Sequence, residues 1–167
     1  MNDKTIGGGG KEVIILAIDT GTTETGYCIL EAETYKPLQF GKVANSEILD
    51  IIRCVGEYGD ARIAIEGFQS FGMPLGQSTI ESITWNGRYI QLAEDNNIPW
   101  EYVYRKDEKI HLCGTMKAKD ANIRQALIDR FGEVGVKKSP GFFYGFKGDI
   151  WSAMAIGVVA LDRAGGV

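Results

Sequence analysis

Hydrophobic and polar positions along the chain follow two periodicities, one typical of strands and one of helices. Residues 12–18 (EVIILAI) form an almost continuous, β-branched apolar run, which predicts a central strand buried on both faces. Residues 26–30 follow a Thr- and Gly-rich turn and predict an antiparallel hairpin with this strand. Residues 62–65 and 99–104 predict two more strands, and residues 37–43 predict a weaker one.

Segments with helical spacing of apolar residues lie between and after these strands. Residues 46–55 predict a helix with Ser46 as its N-cap, and residues 78–94 and 118–131 predict two longer helices. Residues 149–161 are apolar on nearly every side, which indicates a helix packed on the sheet. Strands that alternate with helices after an opening hairpin predict an α/β fold, a mixed five-stranded sheet flanked by helices.

The length and the ends of the chain bound its organisation. A chain of 167 residues is typical of one domain, and we expect a single domain over residues 11–167. Residues 1–10 are polar with four consecutive glycines, which indicates a flexible leader. No run approaches the roughly 18–20 apolar residues of a membrane span, and we expect no membrane partner. Three cysteines without C-x-x-C spacing indicate buried thiols in a reducing, cytoplasmic setting.

The charge is unevenly distributed along the chain. Residues 105–147 carry ten basic and five acidic side chains, whereas the whole chain has a net charge of −4. A basic lobe beside an acidic body is typical of a protein that binds both a polyanion and a cation. A solvated helix face accounts for the same basic residues, so charge alone leaves both interpretations open.

Three carboxylates stand at the ends of predicted elements. Asp19 ends the first strand, Glu66 follows the strand over residues 62–65, and Asp149 opens the last helix. Because the carboxyl ends of parallel strands meet at one edge of an α/β sheet, Asp19 and Glu66 are expected to converge there. Three oxygen ligands on rigid elements suit Mg²⁺ or Mn²⁺. Taken singly, each acid also fits an ordinary role as turn former, strand end or N-cap.

Four segments of the chain together form a recognisable set of motifs. The segments are ILAIDTGTTETGY (15–27), IAIEGF (63–68), the lysine-bearing stretch from KIHLCG to AKDANI (109–123) and GDIWSAMAI (148–156). They resemble the motifs of RuvC-type Holliday junction resolvases, which belong to the RNase H-like superfamily. They occur in the family's order and span nearly the whole chain after the leader. The sequences of these segments are most similar to those of the family members encoded by bacteriophages. The resemblance implies a single RNase H-like nuclease domain, in a bacterial cell or as a phage protein in the host cytoplasm.

The same resemblance implies an activity and a site. The family is metal-dependent and cuts phosphodiester bonds in branched DNA, usually as a homodimer on a four-way junction; flaps and Y-junctions are further expected substrates. Matched motifs make Asp19, Glu66 and Asp149 the ligands of two Mg²⁺ or Mn²⁺ ions that clamp the scissile phosphate in a two-metal hydrolytic mechanism. Lys109 matches a lysine near that phosphate and is expected to take part in catalysis.

The chain departs from the family pattern at two positions. Ser152 stands where the family has a second acid on the last helix, so either three carboxylates suffice or Asp107 or Asp120 joins them. Residues three apart share a helix face, which leaves Ser152 able to contact a metal-bound water beside Asp149. The family's second lysine falls at Asp120, and the neighbouring Lys119 is its expected substitute.

Several side chains are candidates for DNA contact. Phe68 and Phe71 follow Glu66 in a glycine-containing loop, where aromatic rings can stack on unpaired bases; a core role fits both rings equally well. His111 lies between apolar neighbours and is expected to be packed, not a ligand. The basic residues expected to contact phosphates are Arg105, Lys109, Lys117 and Lys119.

Other functions remain open at this point. Residues 17–23 (AIDTGTT) also resemble the first phosphate-binding turn of sugar kinases and actin-like ATPases, although no second phosphate loop is visible. Ser152 leaves room for a structure-specific DNA-binding module without catalysis, and a relative that acts on RNA would keep the same basic lobe. Metal-dependent cleavage of branched DNA without ATP turnover would separate these functions.

Overall fold

The computed structural model describes residues 12–165, so the expected leader over residues 1–10 lies outside the described residues. Five strands form the predicted mixed sheet in the order β3-β2-β1-β4-β5. The strands are β1 (Ile14–Asp19), β2 (Glu24–Glu31), β3 (Pro37–Ala44), β4 (Ala61–Gly67) and β5 (Trp100–Tyr104). The helices are α1 (Asn45–Glu57), α2 (Gln77–Asp95), α3 (Arg105–Cys113), α4 (Asp120–Phe131) and α5 (Asp149–Arg163). The predicted fold class is therefore confirmed.

Strand pairing determines which strand ends share an edge of the sheet. The central strand β1 pairs antiparallel with β2 and parallel with β4, and β4 pairs parallel with β5. The edge strand β3 pairs antiparallel with β2. Because β1, β4 and β5 run in the same direction, their carboxyl ends lie side by side, which is where ligands bind in α/β sheets.

Helices cover both faces of the sheet. On one face, Ile15 and Ala17 of β1 pack against α5, and on the other Leu16 and Ile18 pack with residues of α1 and α2. This alternation follows from the period of two in a strand. Helix α5 approaches closely at Gly157, where a Cβ would lie 2.4 Å from a methyl carbon of Leu30. The close packing fixes the height of the N-terminus of α5 above the sheet.

Two local expectations are wrong. Ser46 is not an N-cap, because α1 begins one residue earlier at Asn45, whose side chain accepts a hydrogen bond from Thr25 instead. The cysteines are not all buried: Cys28 is buried, whereas Cys54 is exposed on α1 and Cys113 is partly exposed.

Two further elements lie in the region where the sequence pattern was weakest. The nine-residue helix α3 follows β5 directly. A short antiparallel ribbon, β6 (Gly135–Val136) with β7 (Ser139–Pro140), follows α4. Within residues 12–165, no helix combines the length and the apolar character needed to cross a bilayer.

Candidate nuclease site

The ends of β1 and β4 bring two carboxylates together. Ile18 lies opposite Ile65 in the parallel register, so Asp19 and Glu66 occupy the next position of each strand. Both side chains are half-buried, and a hydrogen bond between the two carboxyl groups contributes to raising the pKa of Asp19. The strand ends therefore form a carboxylate pair at the edge where β1 and β4 finish.

Asp149 reaches the same place from α5. It is the first residue of that helix, and a Cβ placed on Gly26 would lie 2.8 Å from the Asp149 Cβ. Gly26 is in turn the antiparallel partner of Asp19 on β2. The missing side chain at Gly26 thus lets the N-terminus of α5 descend onto the sheet beside Asp19.

A fourth carboxylate, Glu108, lies beside this pair and was not anticipated. Helix α3 begins at Arg105, directly after β5, and β5 pairs with β4 such that Val103 lies opposite Glu66. Glu108, in the first turn of α3, is 1% exposed, and burial raises its pKa to about 7, with the charge of Asp19 adding to the shift. The available signal was an acid one turn after a predicted strand end. We refer to Asp19, Glu66, Glu108 and Asp149 as the acidic cluster.

Burial and mutual repulsion shape the charge of this cluster. Burial raises the pKa of Asp19 well above its usual range, and the hydrogen bond to Glu66 and the charges of Glu66 and Asp149 add to this effect. Burial also raises the pKa of Glu66. The negative charges of these carboxylates are therefore not fully balanced by nearby positive charge, and a bound cation would balance them.

Two basic side chains bring positive charge to the acidic cluster. Arg105 lies 3.4 Å from both carboxylate oxygens of Glu108, and its other amino group donates to the exposed Asp120. Lys42, on β3, places its Nζ 2.7 Å from an Asp149 carboxylate oxygen. Arg105 was expected to contact DNA, but in the free protein it is held by carboxylates.

A buried amide fixes the two strand ends. Asn86 of α2 is 1% exposed; its Oδ1 accepts a hydrogen bond from the Thr20 hydroxyl at 2.6 Å. Its Nδ2 donates to the backbone carbonyl of Glu66 at 2.9 Å. Since Thr20 follows Asp19 directly, one side chain ties the ends of both carboxylate-bearing strands to the same helix. No local sequence signal marks Asn86 for this role.

The two acids that the sequence offers in place of the family's missing carboxylate both pair with arginines in this structure. Asp107 accepts a hydrogen bond from the backbone N–H of Tyr104 at the start of α3 and pairs with Arg163 at 2.9 Å. The Asp120 side chain is 89% exposed and pairs with Arg105. Whether three carboxylates suffice or one of these two acids joins them therefore stays a prediction.

Two other predicted site residues are Lys109 and Ser152. Lys109 lies on α3 one turn after Arg105, half-buried, and no carboxylate lies within 4.0 Å of it in the described part of the chain. Ser152 lines a cleft of about 380 Å³ beside Asp149. Other side chains that line this cleft are Arg105, Asp120, Arg124 and Trp151.

The aromatic loop and the basic residues differ in exposure. Phe71 is 73% exposed, with a left-handed backbone (φ 49°) and the Lys106 ammonium 5.7 Å from its ring centre, whereas Phe68 is half-buried. Lys117 and Lys119 are both exposed, beside the N-terminus of α4. Phe71 is thus available for a partner, and the core role is excluded for it.

His111 is not the packed residue that its apolar neighbours indicated. Its side chain is 40% exposed, and its Nε2 lies 2.6 Å from a carboxylate oxygen of Asp162. The same carboxylate accepts hydrogen bonds from Tyr35 and Arg130 at 2.7 Å. This network joins α3, α4 and α5 away from the acidic cluster.

The donor chemistry of the acidic cluster fits a hard divalent cation, because carboxylate oxygens are the ligands that Mg²⁺ and Mn²⁺ prefer. Among residues 12–165, no three His, Cys, Asp or Glu side chains already surround a common point. Mg²⁺ commonly takes only one or two carboxylates and completes its shell with water and substrate phosphate. The Asp19–Glu66 pair, with Asp149 beside it, meets that requirement.

Comparisons with known proteins agree with this architecture. No protein-family model and no curated protein sequence matches the chain. Among solved structures, RuvC of Thermus thermophilus aligns with a TM-score of 0.68 at 16% identity, over 92% of this chain and 98% of RuvC.

Two further solved structures are also similar. RuvC from T. thermophilus in complex with a Holliday junction substrate aligns with a TM-score of 0.67 at 15% identity, over 92% of this chain and 97% of that one. Ydc2, the yeast mitochondrial Holliday junction resolvase, aligns with a TM-score of 0.52 at 14% identity, over 88% of this chain and 75% of Ydc2. Together with the strand order and the opening hairpin, these similarities show that the chain has the fold of RuvC-type resolvases.

Proposed function

We propose that this protein is a metal-dependent, structure-specific endonuclease that hydrolyses phosphodiester bonds in Holliday junctions and other branched DNA. The observation that carries the proposal is the half-buried Asp19–Glu66 pair, with Asp149 held beside it, at the carboxyl edge of a RuvC-like sheet. Neighbouring carboxylates with raised pKa values at such an edge are typical of functional sites. The RuvC structure in complex with a junction supports branched DNA as the substrate class.

Each acid has a distinct contribution in this proposal. Asp19 and Glu66, whose strand ends are fixed through Thr20 and Asn86, would hold divalent cations together with Asp149. Two Mg²⁺ or Mn²⁺ ions in such a site supply an activated water and stabilise the leaving 3′-oxygen. The chain contributes rigidity, because each acid ends a strand or starts a helix that packs in the core.

Basic and aromatic residues around the cluster would bind the DNA. Lys109 is proposed to face the scissile phosphate and offset the charge that develops during cleavage. Lys117, Lys119 and Arg105 would contact neighbouring phosphates, and these contacts make binding dependent on salt. The ring of Phe71, which is exposed, would stack on an unpaired base at the branch point.

Two copies of the chain would act together. A four-way junction has approximate two-fold symmetry, and a homodimer with one acidic cluster per protomer can cut two strands symmetrically. DNA debranching also requires access to DNA, so we propose that the protein works in the cytoplasm of a bacterial cell.

A cleavage assay tests the proposal. Labelled four-way junctions, flaps, Y-junctions and linear duplexes are incubated with Mg²⁺ or Mn²⁺, using the wild type, Asp19→Asn and Glu66→Gln, with Asp60→Asn as an exposed control. We expect metal-dependent cleavage of branched substrates by the wild type and the control, and none by the other two variants. Junction binding without cleavage under either metal would contradict the nuclease and favour a DNA-binding module.

A further inference from the structure

Lys42 lies in the same row of the sheet as Asp19. In the antiparallel register, Asp19 lies opposite Gly26 on β2, and Gly26 lies opposite Lys42 on β3. Residues that are directly opposite project from the same face of a sheet. Lys42 and Asp19 therefore flank the gap at Gly26, and Asp149 occupies that gap from above.

The Lys42 ammonium is bound to the third acid of the cluster. Its Nζ lies 2.7 Å from Asp149 Oδ2 and 4.0 Å from a carboxylate oxygen of Glu24. In the free protein, a side-chain cation thus pairs with the carboxylate that the proposed function assigns to a divalent cation.

We propose that Lys42 is a positioning residue that neutralises Asp149 in the free protein and moves to a DNA phosphate when a divalent cation takes its place, so that metal and branched DNA bind cooperatively. This inference rests on the proposed function and adds a regulatory contact to it. It concerns a lysine that the sequence motifs did not single out.

The energetics of the ion pair permit this exchange. Both partners are about half exposed, at 46% and 47% of their side-chain surface. Exposed pairs of this kind contribute little to stability, so Lys42 can leave Asp149 at low cost. A phosphate brought close to the acidic cluster offers the ammonium a new partner, and the vacated carboxylate gains the metal. By linkage, DNA then strengthens metal binding as much as metal strengthens DNA binding.

Mn²⁺ titration of the free protein tests the first part of the proposal, that Lys42 competes with a divalent cation for Asp149. By isothermal calorimetry, Lys42→Met is expected to bind Mn²⁺ about two- to five-fold more tightly than the wild type, because the competing cation is gone. Lys147→Met is the matched control, since it removes an exposed positive charge two residues from Asp149 without removing an ion pair. A gain in Lys42→Met no larger than that in Lys147→Met would overturn the proposal.

The salt dependence of junction binding tests the second part of the proposal, that Lys42 moves to a DNA phosphate when a divalent cation binds. Fluorescence anisotropy gives the slope of log Kd against log salt concentration, with and without Ca²⁺ as a hard oxygen-binding cation. Without Ca²⁺, Lys42→Met and the wild type should have equal slopes, because Lys42 is held by Asp149. With Ca²⁺, the slope of Lys42→Met should be smaller by about 0.9, the value for one phosphate contact, and Lys42→Arg should restore it. Equal slopes in both conditions would refute the exchange.

The failure of this inference can be told apart from the failure of the proposed function. If the wild type binds neither Mn²⁺ nor four-way junctions, the nuclease proposal itself is wrong. If the wild type binds both and Lys42→Met behaves like Lys147→Met in both experiments, only the role of Lys42 is wrong. Thermal melts of the three lysine variants confirm that each is folded before the titrations.

Discussion

Replacement of Asp19 by asparagine is expected to stabilise the fold while it abolishes cleavage. In the unfolded chain, the Asp19 carboxyl loses its proton near pH 4. In the folded protein, burial beside Glu66 raises its pKa well above that value, so the folded state keeps a proton that the unfolded state has released. Stability therefore falls as the pH rises above about 4, until the folded carboxyl also ionises. Asparagine carries no such proton and avoids the loss.

The size of the gain follows from the pH interval. Each pH unit over which only the folded state holds the proton costs about 1.4 kcal/mol, so the interval from pH 4 to pH 6 costs about 2–3 kcal/mol. For a domain of this length, that corresponds to a rise in Tm of roughly 5–10 °C in the Asp19→Asn variant. The gain should be small at pH 4 and large at pH 6–7.

Urea unfolding at pH 4, 5, 6 and 7 in the presence of a chelator measures this difference. Asp60→Asn serves as the control, because Asp60 is exposed and lies just before β4. With Mn²⁺ present, the wild type should become more stable than Asp19→Asn, since the metal stabilises the wild type and not the variant that lacks a ligand. If the gain in unfolding free energy of Asp19→Asn does not depend on pH, or if the variant is less stable than the wild type at pH 7, the raised pKa of Asp19 in the folded state is refuted.

Four further predictions concern neighbouring parts of the fold. Asn86→Ala should lower the free energy of unfolding by about 1–3 kcal/mol and reduce cleavage at saturating metal, because it leaves buried partners unpaired and releases both strand ends. Gly26→Ala should reduce metal affinity with little loss of secondary structure, as judged by Mn²⁺ titration and circular dichroism, because the new methyl group meets the start of α5. Burial of Asp162 acts against ionisation, but hydrogen bonds from Arg130 and its neighbours hold the pKa of Asp162 below its usual range. Asp162→Asn should therefore lower the free energy of unfolding at pH 7, and this loss should shrink as the pH falls below about 4. Phe71→Ala should leave Tm unchanged and weaken junction binding by about 1–3 kcal/mol without affecting linear duplex binding; equal effects on both substrates would argue against stacking at a branch point.

The parts of the site that the sequence predicted are those whose position follows from local pattern. Asp19 and Glu66 each follow a short apolar run, and Asp149 precedes a long one, so each could be assigned to the end of an element. The parallel pairing of β1 with β4 then brings the first two together. An opening hairpin and alternating elements were likewise sufficient for the fold class.

Other parts of the site depend on contacts between elements that are far apart in the chain. Glu108 lies on α3, whose charged sequence RKDEKIHLC has no apolar stripe from which a helix could be predicted. Asn86 contacts Thr20, 66 residues earlier, and a polar residue within a helical pattern ordinarily indicates a solvent-facing position. His111 was misjudged for a related reason: its neighbour Ile110 is itself 48% exposed, so the apolar run there does not face the core.

The central claim is that Asp19, Glu66 and Asp149 together hold divalent cations against the DNA backbone. Anomalous diffraction from crystals soaked in Mn²⁺, with a four-way junction bound, locates the ions directly. The account predicts manganese peaks between the carboxylate oxygens of these three residues and a phosphate, with Lys42 turned away from Asp149. Peaks elsewhere, or an Asp149 carboxylate still bound only to Lys42 while the DNA is in place, would contradict it.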